Sequence, residues 1–122
     1  MTTRGEAKPT TMPRNYPQAC LLLLLAEGPA HGYELADQLR ALGLASLDTG
    51  GLYRALRLME QEGFVESWWE ETSSGPARRT YWLTDLGVAS LQTWAERIAE
   101  TSRHLAKFLH RHRQVTTLAA AG

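Results

Sequence analysis

At Gly63 the hydrophobic period of this chain changes from helical to strand-like, and that switch limits the folds open to it. Before it, Leu52, Ala55, Leu56 and Met59 recur at helical spacing, with Arg54, Arg57 and Gln61 on the opposite side and Tyr53 at the edge. After it, Val65, Ser67 and Trp69 alternate with Glu66, Trp68 and Glu70. A second alternating run covers about Arg79 to Leu83, beyond a Ser73-Ser74-Gly75-Pro76 tip. The order predicts an amphipathic helix N-capped by Asp48, leading straight into a β-hairpin. With Gly75 at the tip, Trp69 is expected opposite Tyr81 on the core face. Trp68 is then expected opposite Trp82 on the outer face, capped by Pro13, Tyr16 or Pro17 or left exposed as a contact patch.

The flanking segments complete a mainly α fold with one small hairpin, a winged helix-turn-helix followed by a long C-terminal helix. Residues 1–15 show no apolar period and are expected to form a mobile arm. A first helix, about Gln18 to Glu27, should stop at Gly28-Pro29. Its consecutive leucines, Leu21 to Leu25, make it apolar on every face, which predicts cover by a partner chain as well as by its own domain. A second helix should run from Gly32 to Leu42 and stop at Gly43, with Leu35, Leu39 and Leu42 at helical spacing. The winged helix-turn-helix domain is thus expected over 16–84. Thr84 can cap a last helix over 85–113, with a frayed tail at 114–122. Leu91, Ala95, Ile98, Ser102, Leu105 and Leu109 line one stripe of that helix, widened by Trp94, Thr101 and Phe108. Such a helix overhangs a small domain, so a two-fold homodimer is expected.

Composition narrows the functional classes. Phosphate-cradling glycine loops, GxSxG, HExxH and paired His/Cys sets do not occur, so no enzyme is indicated and no cofactor is implied. The single cysteine, Cys20, allows no disulfide framework within one chain and fits a reducing cytoplasm. No apolar run approaches the ~20 residues of a membrane span. His104 and His112 lie about two turns apart, but no Cys or carboxylate completes a metal site. The basic stretch from Arg103 to Arg113 fits a helix C-terminus.

Two local basic groups stand out against a formal net charge of zero. Arg54 and Arg57 lie on nearly one helix face, and an arginine on such a helix can bond guanine O6 and N7 in the major groove. Tyr53 can offer its hydroxyl to a phosphate. Arg78 and Arg79 stand just behind the hairpin tip, where backbone contacts position a protein without reading sequence. Double-stranded DNA is therefore the expected partner. Trp94, Ile98, Leu105 and Phe108 are expected at a dimer interface that can also hold an aromatic or apolar effector. The balanced charge keeps a second reading open, a winged-helix dimer that binds proteins or ligands and not DNA.

These segments resemble the PadR family of bacterial transcriptional regulators. The resemblance rests on His31-Gly32-Tyr33-Glu34-Leu35, Gly50-Gly51-Leu52-Tyr53-Arg54-Ala55-Leu56, the stretch from Glu62 to Glu70, and the stretch from Gly75 to Gly87. It extends over about residues 16–110 and implies a homodimeric winged helix, usually a repressor that an effector releases from DNA. It implies that Tyr53 and Arg54 lie on the recognition helix and Arg78 and Arg79 on the wing, with Trp69, Tyr81, Leu83 and Gly87 structural. The short C-terminal region resembles members with a single dimerising helix. The opening from Pro13 to Leu25 is similar to members described as polyhydroxybutyrate-responsive. Thr49 and Gly51 stand where the family often has Pro and Thr, and Leu58 where it is more often polar. The glycine pair is expected to loosen the helix start by ~1 kcal/mol per residue relative to alanine.

Overall fold

The computed structural model describes residues 15–44 and 48–121. All of the expected arm except Asn15 lies outside them, Pro13 included.

Helix α1 (Tyr16–Ala26) follows Asn15, whose φ of 60° is a left-handed turn that asparagine tolerates. The helix is the centre of the domain, packed by the second helix, the hairpin and the last helix. Ala19, Cys20, Leu21, Leu22, Leu24 and Leu25 are buried within the single chain. The expectation that this helix needs a partner chain for its cover is overturned. Three elements of its own domain surround it, and only Leu23 of the leucine run points outward. Each buried leucine contributes ~1.5–3 kcal/mol of transfer free energy.

Gly28 turns the chain at a φ of 152° into a two-residue strand, β1 (Ala30–His31), which the sequence reading did not contain. Helix α2 (Gly32–Ala41) buries Leu35 and Leu39 and ends at Gly43, φ 89°, where the amides of Gly43 and Leu44 bond back to Arg40 and Leu39. Helix α3 (Thr49–Gln61) starts at Asp48, whose Oδ1 accepts the Gly51 amide at 2.7 Å. That bond offsets part of the looseness expected from the adjacent glycines. Leu52, Leu56 and Met59 of α3 are buried, and Leu58 is exposed on the opposite side.

Strands β2 (Val65–Glu70) and β3 (Arg78–Leu83) form the hairpin, and β1 adds to the far side of β3, giving the antiparallel order β1-β3-β2. The expected register is corrected by two residues. Ser67, not Trp69, stands opposite Tyr81, and Trp69 faces Arg79. The cause is the loop. Thr72 donates its hydroxyl to the Gly75 carbonyl at 2.7 Å, and Glu70–Arg78 is the last rung, so the connection is not centred on Gly75. A shift of two keeps every side chain on its face. Tyr81 is therefore still buried, but Trp69 moves toward the tip, beyond the core, and is 63% exposed. Trp68 and Trp82 share the outer face diagonally, with ring centroids 4.8 Å apart. Tyr16 does not cap them; it packs at the groove between α1 and the last helix.

Helix α4 (Asp85–Ala121) has 37 residues, ~55 Å at 1.5 Å per residue. Thr84 caps it by accepting the Gly87 amide at 3.0 Å, while its own hydroxyl donates to the Gly63 carbonyl at 2.6 Å. Gly87 is essential to this junction, because a Cβ there would run into the Phe64 carbonyl oxygen and Leu83. The helix passes through 114–121, where fraying was expected. No Gly or Pro interrupts this stretch, and Leu118 to Ala121 are good helix formers. Its end therefore lies well past the Arg103–Arg113 stretch, so the favourable placement of those cations at a helix terminus does not hold. From Ser102 onward every described residue of α4 is exposed. The architecture is a winged helix-turn-helix carrying a long, mostly uncovered helical arm.

Candidate nucleic-acid interface

Helix α3 turns Tyr53, Arg54 and Arg57 away from the buried Leu52–Leu56–Met59 side. Each is held differently. The Tyr53 hydroxyl and ring lie directly over Gly32 at the start of α2, where any side chain would overlap them. Arg54 folds back over the first turn of its own helix, with Nη1 3.2 Å from the point where a Gly50 Cβ would stand. Gly50 thus leaves room for that guanidinium. Arg57 points into the space between α3 and the hairpin.

The two hairpin arginines have separate roles. The exposed Arg78 donates from Nη1 to the Tyr33 hydroxyl of α2 at 2.9 Å. The half-buried Arg79 turns back to the protein. Its Nε donates to Ser67 Oγ at 2.9 Å, Ser67 donates to Glu60 Oε2 at 2.9 Å, and Nη2 lies 3.8 Å from Glu60 Oε1. Its guanidinium also sits 5.3 Å from the Trp69 ring centroid. Arg79 is therefore a strut between α3 and the wing, its charge largely answered by Glu60. Among the described residues the ion pairs are His31–Glu70, Arg40–Asp37 and Arg79–Glu60, which leaves Arg54, Arg57 and Arg78 without a carboxylate partner.

All of the candidate side chains except Arg54 line one cleft of about 480 Å³ between the start of α2, the outer side of α3 and the wing. Arg57, Arg78, Arg79, Tyr33, Tyr53 and His31 line it, and Glu60 is the acid among its walls. Tyr81 forms its floor. Burial pushes the Tyr81 hydroxyl above the usual tyrosine range, with Arg79 and Arg57 opposing and Tyr53 and Glu60 adding to the shift, so it stays a neutral phenol. A concave surface with unpaired guanidiniums and tyrosine hydroxyls attracts anions. The sequence reading assigned no role to His31, Tyr33, Glu60 and Ser67 here. The exposed aromatic in the His31-Gly32-Tyr33 segment was the available signal for the first two.

The second group of candidates is not brought together in one chain. Trp94 and Ile98 line an apolar groove of about 430 Å³ against Tyr16, Cys20 and Leu23 of α1, and Arg97 lies 5.5 Å from the Trp94 ring centroid. Leu105 and Phe108 lie further along α4, outside the groove and exposed. Burial raises the Cys20 thiol above its ordinary range, opposed by a hydrogen bond with Tyr16. That same bond is the main reason the Tyr16 hydroxyl is raised. Among the described residues, no helix is long and apolar enough to cross a membrane, and no His/Cys/Asp/Glu group is arranged to hold a metal ion.

Comparison with known proteins gives the same fold. Residues 21–93 match the family described as transcriptional regulator PadR-like. A PadR family transcription regulator of Clostridium difficile R20291 is 28% identical, with a TM-score of 0.72 over 78% of this chain and 99% of its own. A PadR-like regulator of Bacillus cereus is 26% identical, with a TM-score of 0.73 over 82% of this chain and 97% of its own. PadR of Bacillus subtilis, solved with operator DNA, is 23% identical, with a TM-score of 0.61 over 66% of this chain and 47% of its own.

Proposed function

Because the chain belongs to the PadR-like family of transcriptional regulators, we propose that it is a homodimeric DNA-binding repressor that an effector releases from its operator. In this reading α3 enters the major groove, with Arg54 and Arg57 toward base edges and Tyr53 toward a phosphate. Arg78 meets the flanking backbone, and Arg79 fixes the wing that carries it. The observation that carries the proposal is the cleft itself. Two guanidiniums that no carboxylate neutralises, Arg57 of α3 and Arg78 of the wing, converge with the strut Arg79 on one concave face of a protein with no net charge. The Bacillus subtilis relative, whose structure holds operator DNA, supports this use of the fold.

The dimer is inferred from α4. Among the described residues, Leu105, Phe108 and Leu109 are exposed and nothing covers them. Their stripe continues the apolar groove at Trp94 and Ile98, so a second copy is the fitting cover. The groove is also the proposed place for an aromatic or apolar effector.

Binding of the protein to its own upstream region, at low and moderate salt, tests the reading. Retention of that fragment against excess random duplex is the expected result. Equal retention of both would remove sequence specificity. No retention of either would leave a winged-helix dimer working on other partners.

A further inference from the structure

His31 sits where the wing, the edge strand and α2 meet, with its side chain 16% exposed. Its Nδ1 is 3.1 Å from Thr80 Oγ1, and Thr80 Oγ1 donates to Glu70 Oε1 at 2.9 Å. A hydroxyl has one proton, and a carboxylate can only accept. The Thr80 proton is therefore spent on Glu70, and its oxygen accepts from His31, which fixes the neutral ring as the Nδ1–H tautomer. Nε2 then turns a bare lone pair toward Glu70 Oε1, 3.7 Å away. Two acceptors face each other, and only the imidazolium makes both contacts favourable.

Both ends of this string reach Arg78. Glu70 is its partner in the last rung of the hairpin. On the other side the His31 ring stacks on Tyr33, centroids 5.5 Å apart at 18°, and Tyr33 accepts the Arg78 hydrogen bond. The other charged groups around His31 do not address its ring nitrogens. Glu34 of α2 takes its backbone N–H at 2.8 Å, and Arg57, Glu60, Arg78, Arg79 and the Tyr53 and Tyr81 hydroxyls line the shared cleft.

We propose that His31 is a positioning residue for the wing: in its imidazolium form it ties Glu70 and Tyr33 into one frame that presents Arg78 to the DNA backbone. The proposal rests on the DNA-binding reading and adds proton uptake as a control on it. DNA affinity is then expected to be higher at lower pH.

The test uses the full chain and a retained duplex at about pH 6 and about pH 8. For the unaltered protein, affinity about twofold to fivefold higher at the lower pH is expected, the size of a partly exposed ion pair. His31→Asn can still bond Thr80 but cannot titrate, so its affinity should not change with pH beyond any effect of His104, His110 and His112. In the DNA-free protein, ring ¹⁵N spectra should show the Nδ1–H tautomer at high pH. The Glu70 and Arg78 amides should titrate with the same midpoint as the ring. An equal pH response in His31→Asn, an Nε2–H tautomer, or an Arg78 amide that ignores the ring would each overturn the proposal. If no duplex is retained at either pH, the DNA-binding reading falls, and the ring and amide titrations still decide whether His31 positions the hairpin.

Discussion

Arg79 and Glu60 stand 3.8 Å apart across the junction of the wing and α3, bridged by the hydroxyl of Ser67. The wing is thus fastened to α3. Both partners keep roughly a third of their side chains in water, so the pair itself adds only ~0.2–1 kcal/mol. Loss of the Ser67 bond and the Trp69 contact adds to the cost of removing Arg79. Arg79→Ala should lower stability by about 1–2 kcal/mol in urea unfolding. Arg78→Ala, whose side chain is exposed, should cost under ~0.5 kcal/mol. Equal losses would mean that the strut is not formed in solution.

On DNA, Arg78 should matter more than it does for stability, and Arg54 should behave differently from it. Arg78→Ala is expected to weaken binding to all duplexes and reduce the salt slope by about 1. Arg54→Ala should cost ~1–3 kcal/mol on the operator and much less on random sequence if it reads a base. Fluorescence anisotropy over a salt series gives both numbers, and a uniform loss for Arg54→Ala would reassign it to the backbone.

Two glycines should fail differently. Gly32→Ala drives a methyl into Tyr53 and should cost ~1–3 kcal/mol, mostly recovered when Tyr53 is also cut to alanine. Gly87→Ala meets the Phe64 backbone carbonyl, so no side-chain truncation should rescue it. Thermal melts of the single and double variants check the contrast.

Charge placed on the overhanging stripe should separate the proposed dimer. Leu105→Glu with Leu109→Glu is expected to give a folded monomer by sedimentation, since both side chains are exposed in the single chain. A dimer that survives would put the two-fold contact elsewhere.

Cys20, Tyr16 and Tyr81 all hold their protons more tightly when folded than their ordinary values of 9.0 for the thiol and 10.0 for the hydroxyls. The folded state then binds more protons than the unfolded state in alkali, so their contribution is intact below pH 9.0 and is lost as the pH rises above it. Unfolding midpoints should fall from about there upward, less steeply in Cys20→Ala. A flat profile to the denaturing limit would contradict the burial of these groups.

The elements that a period or a stop residue marks were legible in the sequence. Leu52, Leu56 and Met59 announced α3, Asp48 its cap, and Gly43 the end of α2. What failed was set by tertiary contact. Ala30–His31 is too short to show alternation and is a strand only because β3 lies beside it. The hairpin register depended on Thr72 closing a long loop, which no Asn-Gly signal advertised. The leucines of α1 looked surplus because their cover comes from three distant elements. Within the candidate site, exposure of Arg54 and Arg57 followed from helical phase, but nothing in their neighbourhood revealed that Arg79 would turn inward or that Tyr33 would reach Arg78.

Helix α4 leaves the domain through the fixed Thr84–Gly87 junction and continues without a break to Ala121. Between that junction and the bare leucines there is no hinge, so the helix acts as a ruler whose graduations are single residues. One residue more or less between Gly87 and Ile98 would turn the distal stripe by about 100° and shift it by ~1.5 Å relative to the winged domain. In a symmetric pair the two winged domains would then come out of phase with the turn of the duplex, although every contact within each domain stayed intact. In the proposed dimer on DNA, the length of this segment would therefore be as much a part of operator choice as any side chain that touches a base.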